Sequence, residues 1–231
     1  INRMKKQGDI ISPARGFYVI VPPERQPYGS ISADELTPLL MEYLEINYYV
    51  SLLSAAALYG ASHQKIRCFQ VVTDKQIKHP LVFGQVVVQI LYKKSLKHLP
   101  TRDFTVSTGY LKVATPELVA FDLFHYRRKS GGLNHIATVL AELVEEINAQ
   151  DLIYLADQIK EKAWIQRLGF ILEKLGNTDN ETALHLSKEL LIYLENKALP
   201  FVPLASELPK KGYPRSKTWR IIENTTIESD V

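Results

Sequence analysis

Gly84-Gln85-Val86-Val87-Val88-Gln89-Ile90-Leu91-Tyr92 is a β-branched run, too apolar for a strand edge washed by solvent. Further strand patterns lie on both sides of it. Residues 66–73 form a second apolar run. Phe104-Thr105-Val106-Ser107 and Tyr110-Leu111-Lys112-Val113-Ala114 flank Thr108-Gly109, which predicts a hairpin with a glycine available for a positive φ. At Thr115 the pattern changes period. Thr115 is placed to cap a helix, Pro116 suits its first position and Glu117 favours the positive end of its dipole. Gly131-Gly132 breaks that helix. Three more follow by apolar spacing, over 133–147, 152–160 and 163–175. Thr178 with Glu181 opens a last one, to about residue 196.

Upstream of the strands, Ser32 and Glu35 have capping-box spacing, but Pro38 suits a helix that starts later. Thr37 as N-cap with Pro38 at the first helical position is the preferred start. Residues 48–60 (Tyr-Tyr-Val-Ser-Leu-Leu-Ser-Ala-Ala-Ala-Leu-Tyr-Gly) read as a second helix with a close-approach face of Ser51, Ser54, Ala55 and Ala56. Pro22, Pro23 and Pro27 predict a linker without regular structure. Before it, residues 1–8 read as the end of a basic helix and 9–21 as a tight hairpin. A winged helix-turn-helix domain finishes this way, and the reading expects the earlier helices of such a head to lie outside this sequence. The tail from 199 to 231 has four prolines. Its one strand pattern, 218–222, would put Trp219 and Ile221 on one face and Arg220 and Ile222 on the other. The polar end from 223 is expected to fray.

The expected fold class is therefore α+β: the helix end and wing hairpin of a winged helix-turn-helix, then a helix–mixed or antiparallel sheet–helix body with a helical C-terminal part. The expected domains are 1–22, a linker at 23–36, a body at 37–160 and C-terminal helices with a tail at 161–231.

Net charge is only +3, but it is unevenly placed. Residues 61–100 hold Lys65, Arg67, Lys75, Lys78, Lys93, Lys94 and Lys97 against Asp74 alone, whereas 29–60 and 131–158 have no Lys or Arg. Either a basic and an acidic face or separately solvated patches would produce this pattern. One cysteine, Cys68, excludes an intrachain disulfide and fits a reducing cytoplasm, the expected location. No apolar stretch approaches the roughly 20 residues that span a bilayer, so no membrane partner is expected.

Catalytic patterns are scarce. No phosphate loop or nucleophile elbow is present. The six histidines, His63, His79, His98, His125, His135 and His185, have no i, i+3 or i+4 pair to hold a metal. The enzymatic alternative is a metal-dependent nuclease or nucleic-acid-modifying enzyme, and the nuclease needs acids on two neighbouring strands. Asp74 offers one, but 84–91 offers none, and Asp122 reads as a hydrogen-bonded structural acid. No catalytic residue, metal or cofactor is assigned. The candidate DNA-binding residues are Arg3, Lys5 and Lys6 on the helix end and Arg15 in the wing, where a planar guanidinium suits a phosphate or a narrow minor groove. Lys75, Lys78, Lys93 and Lys94 are candidate secondary nucleic-acid contacts. They serve equally as solubilising guards around apolar strands.

Three segments resemble the AbiEi-type antitoxins of type IV toxin–antitoxin, abortive-infection systems. These are Ala14-Arg15-Gly16-Phe17-Tyr18-Val19-Ile20, the run 48–60, and Val113-Ala114-Thr115-Pro116-Glu117-Leu118-Val119-Ala120-Phe121-Asp122-Leu123 with Gly131-Gly132-Leu133 after it. Tyr59 stands where the family often has histidine. The resemblance implies a transcriptional autorepressor that binds promoter DNA of its own operon and acts in phage defence. It also implies a body that counteracts a nucleotidyltransferase-like toxin without a stable complex.

Overall fold

The computed structural model describes residues 1–61 and 67–227. Lys65, His63 and the expected strand start at Ile66 lie outside the described residues. Two compact units divide the chain. The first comprises Ile1–Ala55 and Gln64–Thr115, the second Ala56–His63 and Pro116–Val231.

The first unit begins with α1 (Asn2–Gln7), stopped by Gly8 at φ 82°, and the antiparallel hairpin of β1 (Ile10–Ala14) and β2 (Phe17–Ile20). Pro13 has no N–H for the ladder, and the register shifts between Ile11 and Ala14 to pass it. The proline-rich stretch is not an irregular linker. Pro23–Tyr28 forms a 3-10 helix. It is tied to a later turn, because Gln85 donates its backbone N–H to the Tyr28 carbonyl at 2.9 Å. A Cβ on Gly84 would sit 2.7 Å from the Cα of Gly29, so the two chains meet backbone to backbone only because both residues are glycine.

Helix α2 (Ala33–Tyr43) starts at Ser32 rather than at Thr37. The Glu35 carboxylate accepts from the Ser32 N–H and hydroxyl, and from the Ser107 hydroxyl at 2.6 Å. This anchoring, with burial of Leu36, Thr37, Leu40 and Met41, outweighs the backbone bond that Pro38 forfeits inside the helix.

A six-stranded mixed sheet follows, made of β3 (Tyr48–Val50), β4 (Phe69–Thr73), β5 (Leu81–Phe83), β6 (Val86–Tyr92), β7 (Thr101–Val106) and β8 (Gly109–Ala114), in the order β5-β6-β4-β3-β8-β7. Within the run 84–92, Val86–Tyr92 is an interior strand, as the composition predicts, and Gly84-Gln85 forms the turn before it. The expected helix over 48–60 is corrected. Tyr48-Tyr49-Val50 pairs antiparallel with β4 and meets β8 in parallel at Val50–Val113. Two aromatics and a valine gain a ladder on both sides. The helix α3 (Leu52–Leu58) begins only where the small residues take over. Leu52 turns the chain with φ 53°, Gln70 Oε1 accepts the Leu53 N–H, and Ser54 Oγ accepts the Gln70 N–H. Within α3 the unit division falls between Ala55 and Ala56.

The second unit is helical. It contains α4 (Pro116–His125), α5 (Leu133–Leu143), α6 (Ala149–Gln158), α7 (Ala163–Gly176) and α8 (Glu181–Leu194). Every residue of α4 from Pro116 to Phe124 is buried, and the Thr115 hydroxyl makes none of the expected capping bonds. Buried Glu117 instead accepts the N–H of Asn148, the N-cap of α6. Asp122 is buried and partnered, as its setting predicts. Asn180, not Thr178, caps α8, accepting from the Ala183 N–H and donating to the Ala141 carbonyl.

The tail closes a small sheet of β9 (Val202–Pro203), β10 (Arg215–Ser216) and β11 (Ile221–Ile222), ordered β10-β11-β9. The expected alternation fails. Arg220 takes φ 54°, and Trp219, Ile221 and Ile222 are all buried. Nor is residue 224 loose. The Asn224 amide bonds both the N–H and the carbonyl of Ala205. Residues 228–231 lie outside the described residues.

Candidate nucleic-acid interface

Arg3, Lys5 and Lys6 all lie on α1, none of whose side chains is buried. Lys5 and Lys6 occupy its last turn, where positive charge complements the helix dipole. The Asp9 N–H returns to the Met4 carbonyl and the Val21 N–H to the Asp9 carbonyl, so helix and hairpin form a continuous module. One hairpin face carries Val19, which packs with Ile31 and Leu36, joined by partly buried Ile11, Phe17 and Phe83. The other exposes Tyr18 at 44 % and Ile20 at 75 %. The Lys5 ammonium lies 4.9 Å from the Tyr18 ring centroid.

Arg15 stands at the turn between the strands, exposed, one strand length from α1, about 15 Å at the rise of a β-strand. Its backbone is not left loose. The Tyr43 hydroxyl donates to the Arg15 carbonyl at 2.8 Å, and the Tyr43 ring stacks on Phe17 at 4.8 Å. Gly16, at φ 83°, leaves room for that hydroxyl, since a Cβ there would come within 2.9 Å of it. Pattern reading did not find Tyr43. A tyrosine on the exposed end of an amphipathic helix carries no signal that it will reach a turn 28 residues earlier.

The second set of lysines is less uniform. Lys75 Nζ donates to the Glu45 and Leu44 carbonyls, which terminate α2, and so acts as a helix cap. Lys78 is exposed in the loop before β5. Lys93 is half-buried and already engaged. Lys94 lines a groove of ≈ 750 Å³ that also carries Lys97 and Lys112 but has Glu42, Asp74 and Asp103 among its walls. Lys112 and Asp103 are directly opposite across β7 and β8. The groove is therefore mixed in sign. Among the described residues, no group of three or more His, Cys, Asp or Glu side chains is placed to hold a metal ion. No helix among them is long and apolar enough to cross a membrane.

A basic helix and pinned hairpin on a mixed sheet, with a helical second unit, define an α+β protein. Its fold is similar to that in the crystal structure of the RV2827C protein from Mycobacterium tuberculosis, with TM-score 0.66 and 14 % identity over 96 % of this chain and 77 % of that one. The family of the AbiEi antitoxin C-terminal domain matches residues 49–174, and the chain belongs to that family. A weaker similarity, TM-score 0.38 at 14 % identity over 69 % of this chain and 94 % of the other, is to an antigenic nucleotidyltransferase-like protein from Paracoccidioides brasiliensis, too distant in fold to carry an argument. No curated protein matches the sequence.

Proposed function

We propose that this AbiEi-family chain is a non-enzymatic antitoxin and autorepressor. In this reading α1 and the β1–β2 hairpin are the recognition-helix end and wing of a winged helix-turn-helix that binds the promoter of its own operon. Residues 49–174 belong to the part that counteracts a nucleotidyltransferase-like toxin in the cytoplasm without a stable complex. The observation that carries the DNA reading is Arg15, an exposed guanidinium at a hairpin tip whose backbone is fixed by Tyr43. A pre-ordered turn can present a charge to a phosphate or minor groove with little further loss of entropy. Arg3, Lys5 and Lys6 would add sequence-independent phosphate contacts.

Fluorescence anisotropy with the operon's upstream DNA over a salt series tests this. Affinity should fall steeply with salt. Arg15→Ala should weaken binding several-fold and lower the salt slope by about one. Absence of saturable binding at low salt, or an unchanged slope in Arg15→Ala, would refute it. Lys75, as a helix cap, is expected to contribute to stability rather than to DNA affinity. No specific observation favours the nuclease alternative.

A further inference from the structure

The mixed-sign groove of ≈ 750 Å³ in the first unit has no part in the hairpin reading. Its walls come from separate stretches of chain: the end of α2 with the residues leading into β3, the residue after β4, the loop from β6 to β7, and the β7–β8 pair. Tyr110 and Lys112 share one face of β8, directly opposite Thr105 and Asp103 of β7. Tyr110 is 69 % exposed there, an aromatic ring that the core does not use. Of the four lysines read in sequence as secondary nucleic-acid contacts, Lys94 alone lines the groove, joined by Lys97 and Lys112.

The polar groups of this groove are not spent on one another. Among the described residues Lys94, Lys97 and Lys112 form no ion pair, although Asp103 stands directly opposite Lys112. The Tyr48 hydroxyl accepts the Lys112 N–H at 3.5 Å and donates to no described residue, which leaves its proton for another acceptor. Burial pushes the Tyr48 pKa up, against the Lys112 N–H and with the Asp103 charge, so the hydroxyl keeps that proton at neutral pH. Asp74 is half-buried. Its Oδ2 accepts from Asn47 Nδ2 at 2.6 Å, whereas its Oδ1 is withdrawn from solvent and has no donor. A carboxylate oxygen in that state gains from a ligand that brings it an N–H.

We infer that the groove binds a nucleotide unit, either free or as an unstacked base of single-stranded RNA. Tyr110 offers a ring face on which a base stacks. The Lys94, Lys97 and Lys112 ammonium groups and the Tyr48 hydroxyl serve its phosphate, and Asp74 accepts from the exocyclic amino group of the base. The sign pattern selects this ligand over a duplex backbone. Three carboxylates, Glu42, Asp74 and Asp103, share the walls with the three ammonium groups, which disfavours a run of phosphates but suits one phosphate joined to a base with N–H donors. The volume lies within the range of small-molecule sites. The inference does not depend on the promoter reading and stands or falls separately from it.

Calorimetric titration of the full chain at low ionic strength tests it with cytidine 5′-monophosphate, uridine 5′-monophosphate and cytidine. The two bases differ at the edge, which carries an amino donor in cytosine and a carbonyl in uracil. Saturable binding of cytidine monophosphate is expected, about tenfold tighter than that of uridine monophosphate or of cytidine, as for one charge-assisted hydrogen bond lost. Asp74→Asn should erase the preference for cytosine. Lys97→Gln should weaken both monophosphates and leave cytidine unchanged, and Tyr110→Ala should weaken every probe about tenfold. Lys97 and Tyr110 are exposed, so these two variants should melt as the wild type does and still decide the matter if Asp74→Asn disturbs the fold. A short cytidylate single strand separates the two sources of the ligand. Binding much tighter than that of the monophosphate assigns the groove to RNA, and equal binding assigns it to the free nucleotide. Absence of saturable binding of monophosphate and strand alike in the millimolar range overturns the proposal. So does equal affinity of the wild type for the cytosine and uracil probes, or unchanged affinity in Tyr110→Ala. A duplex RNA bound as tightly as the single strand would make the groove a backbone surface and overturns it too.

Discussion

Trp219→Ala should be among the most destabilising single changes in the second unit. The indole is 1 % exposed and lies flush on the backbone of α7 at Gly169, where a Cβ would come within 1.9 Å of its Cζ3. Its Nε1 donates to Glu173 Oε2 at 3.0 Å, and its carbonyl accepts from Gln166 Nε2 at 3.1 Å. Truncating a buried tryptophan costs about 3–5 kcal/mol in lost transfer energy and cavity. Gly169 offers no side chain to move into the void, which places the site in the upper half of that range. The bond to a carboxylate adds about 1 kcal/mol. A loss of about 5–6 kcal/mol is therefore expected in urea denaturation followed by far-ultraviolet circular dichroism. Limited proteolysis read by mass spectrometry should show new cuts between residues 199 and 227. Gly169→Ala should destabilise by driving a methyl into the same ring. The double variant should be less destabilised than the sum, because the clash has gone once the ring is absent. A loss below about 1 kcal/mol with the tail still protected would refute the packing argument, and so would strict additivity of the pair.

Three further outcomes follow from the first unit. Gly16→Ala forces a side chain into φ 83° and against the Tyr43 hydroxyl; it should cost about 1–2 kcal/mol in thermal or urea unfolding, and should weaken promoter binding although no cation is removed. Hydrogen bonds from the Ser107 and Ser32 hydroxyls hold the Glu35 pKa below the ordinary glutamate range. Its ionised form thus stabilises the fold above that range and loses this contribution as pH falls through the folded value. The stability gap between the wild type and Glu35→Gln should then narrow from about pH 6 to about pH 3, as measured by urea midpoints. Lys75→Met removes the side-chain cap of α2 and should lower stability by about 0.5–1 kcal/mol with promoter affinity unchanged.

What the sequence discloses depends on how far each feature reaches along the chain. α5, α6, α7 and α8 are long enough for their apolar period to show, and the run 84–92 declares itself an interior strand by composition alone. The hairpin at 101–114 announces its turn through Gly109, at φ 128°. The strand β3 does not, because three residues followed by a small-residue helix give a period-3.6 count to the whole stretch. Leu81-Val82-Phe83 is similarly too short to register between Pro80 and Gly84, although it pairs fully with β6. The helix start at Ser32 is missed because local rules about Pro38 are weighed without the Ser107 hydroxyl, which arrives from 72 residues away. The candidate site divides in the same way. Arg3, Lys5, Lys6 and Arg15 are legible as charges in sequence, and the structure puts them on one helix–hairpin module. Tyr43 reaches the Arg15 turn by tertiary packing, and no residue spacing signals it.

The helix α3 carries a consequence for anyone cutting this protein into pieces. Because the unit division passes through it, Ala56–His63 is a short loan from the middle of the first unit's sequence to the second. A chain ended at Thr115 keeps that segment but lacks the unit it belongs to, and a chain begun at Pro116 lacks the segment. Neither fragment is a module in the sense that its sequence boundaries match its packing. Assays that seek to assign DNA binding to one half and antitoxicity to the other are better made with point substitutions in the intact chain, or with a permuted one in which residues 56–63 travel with the helical unit.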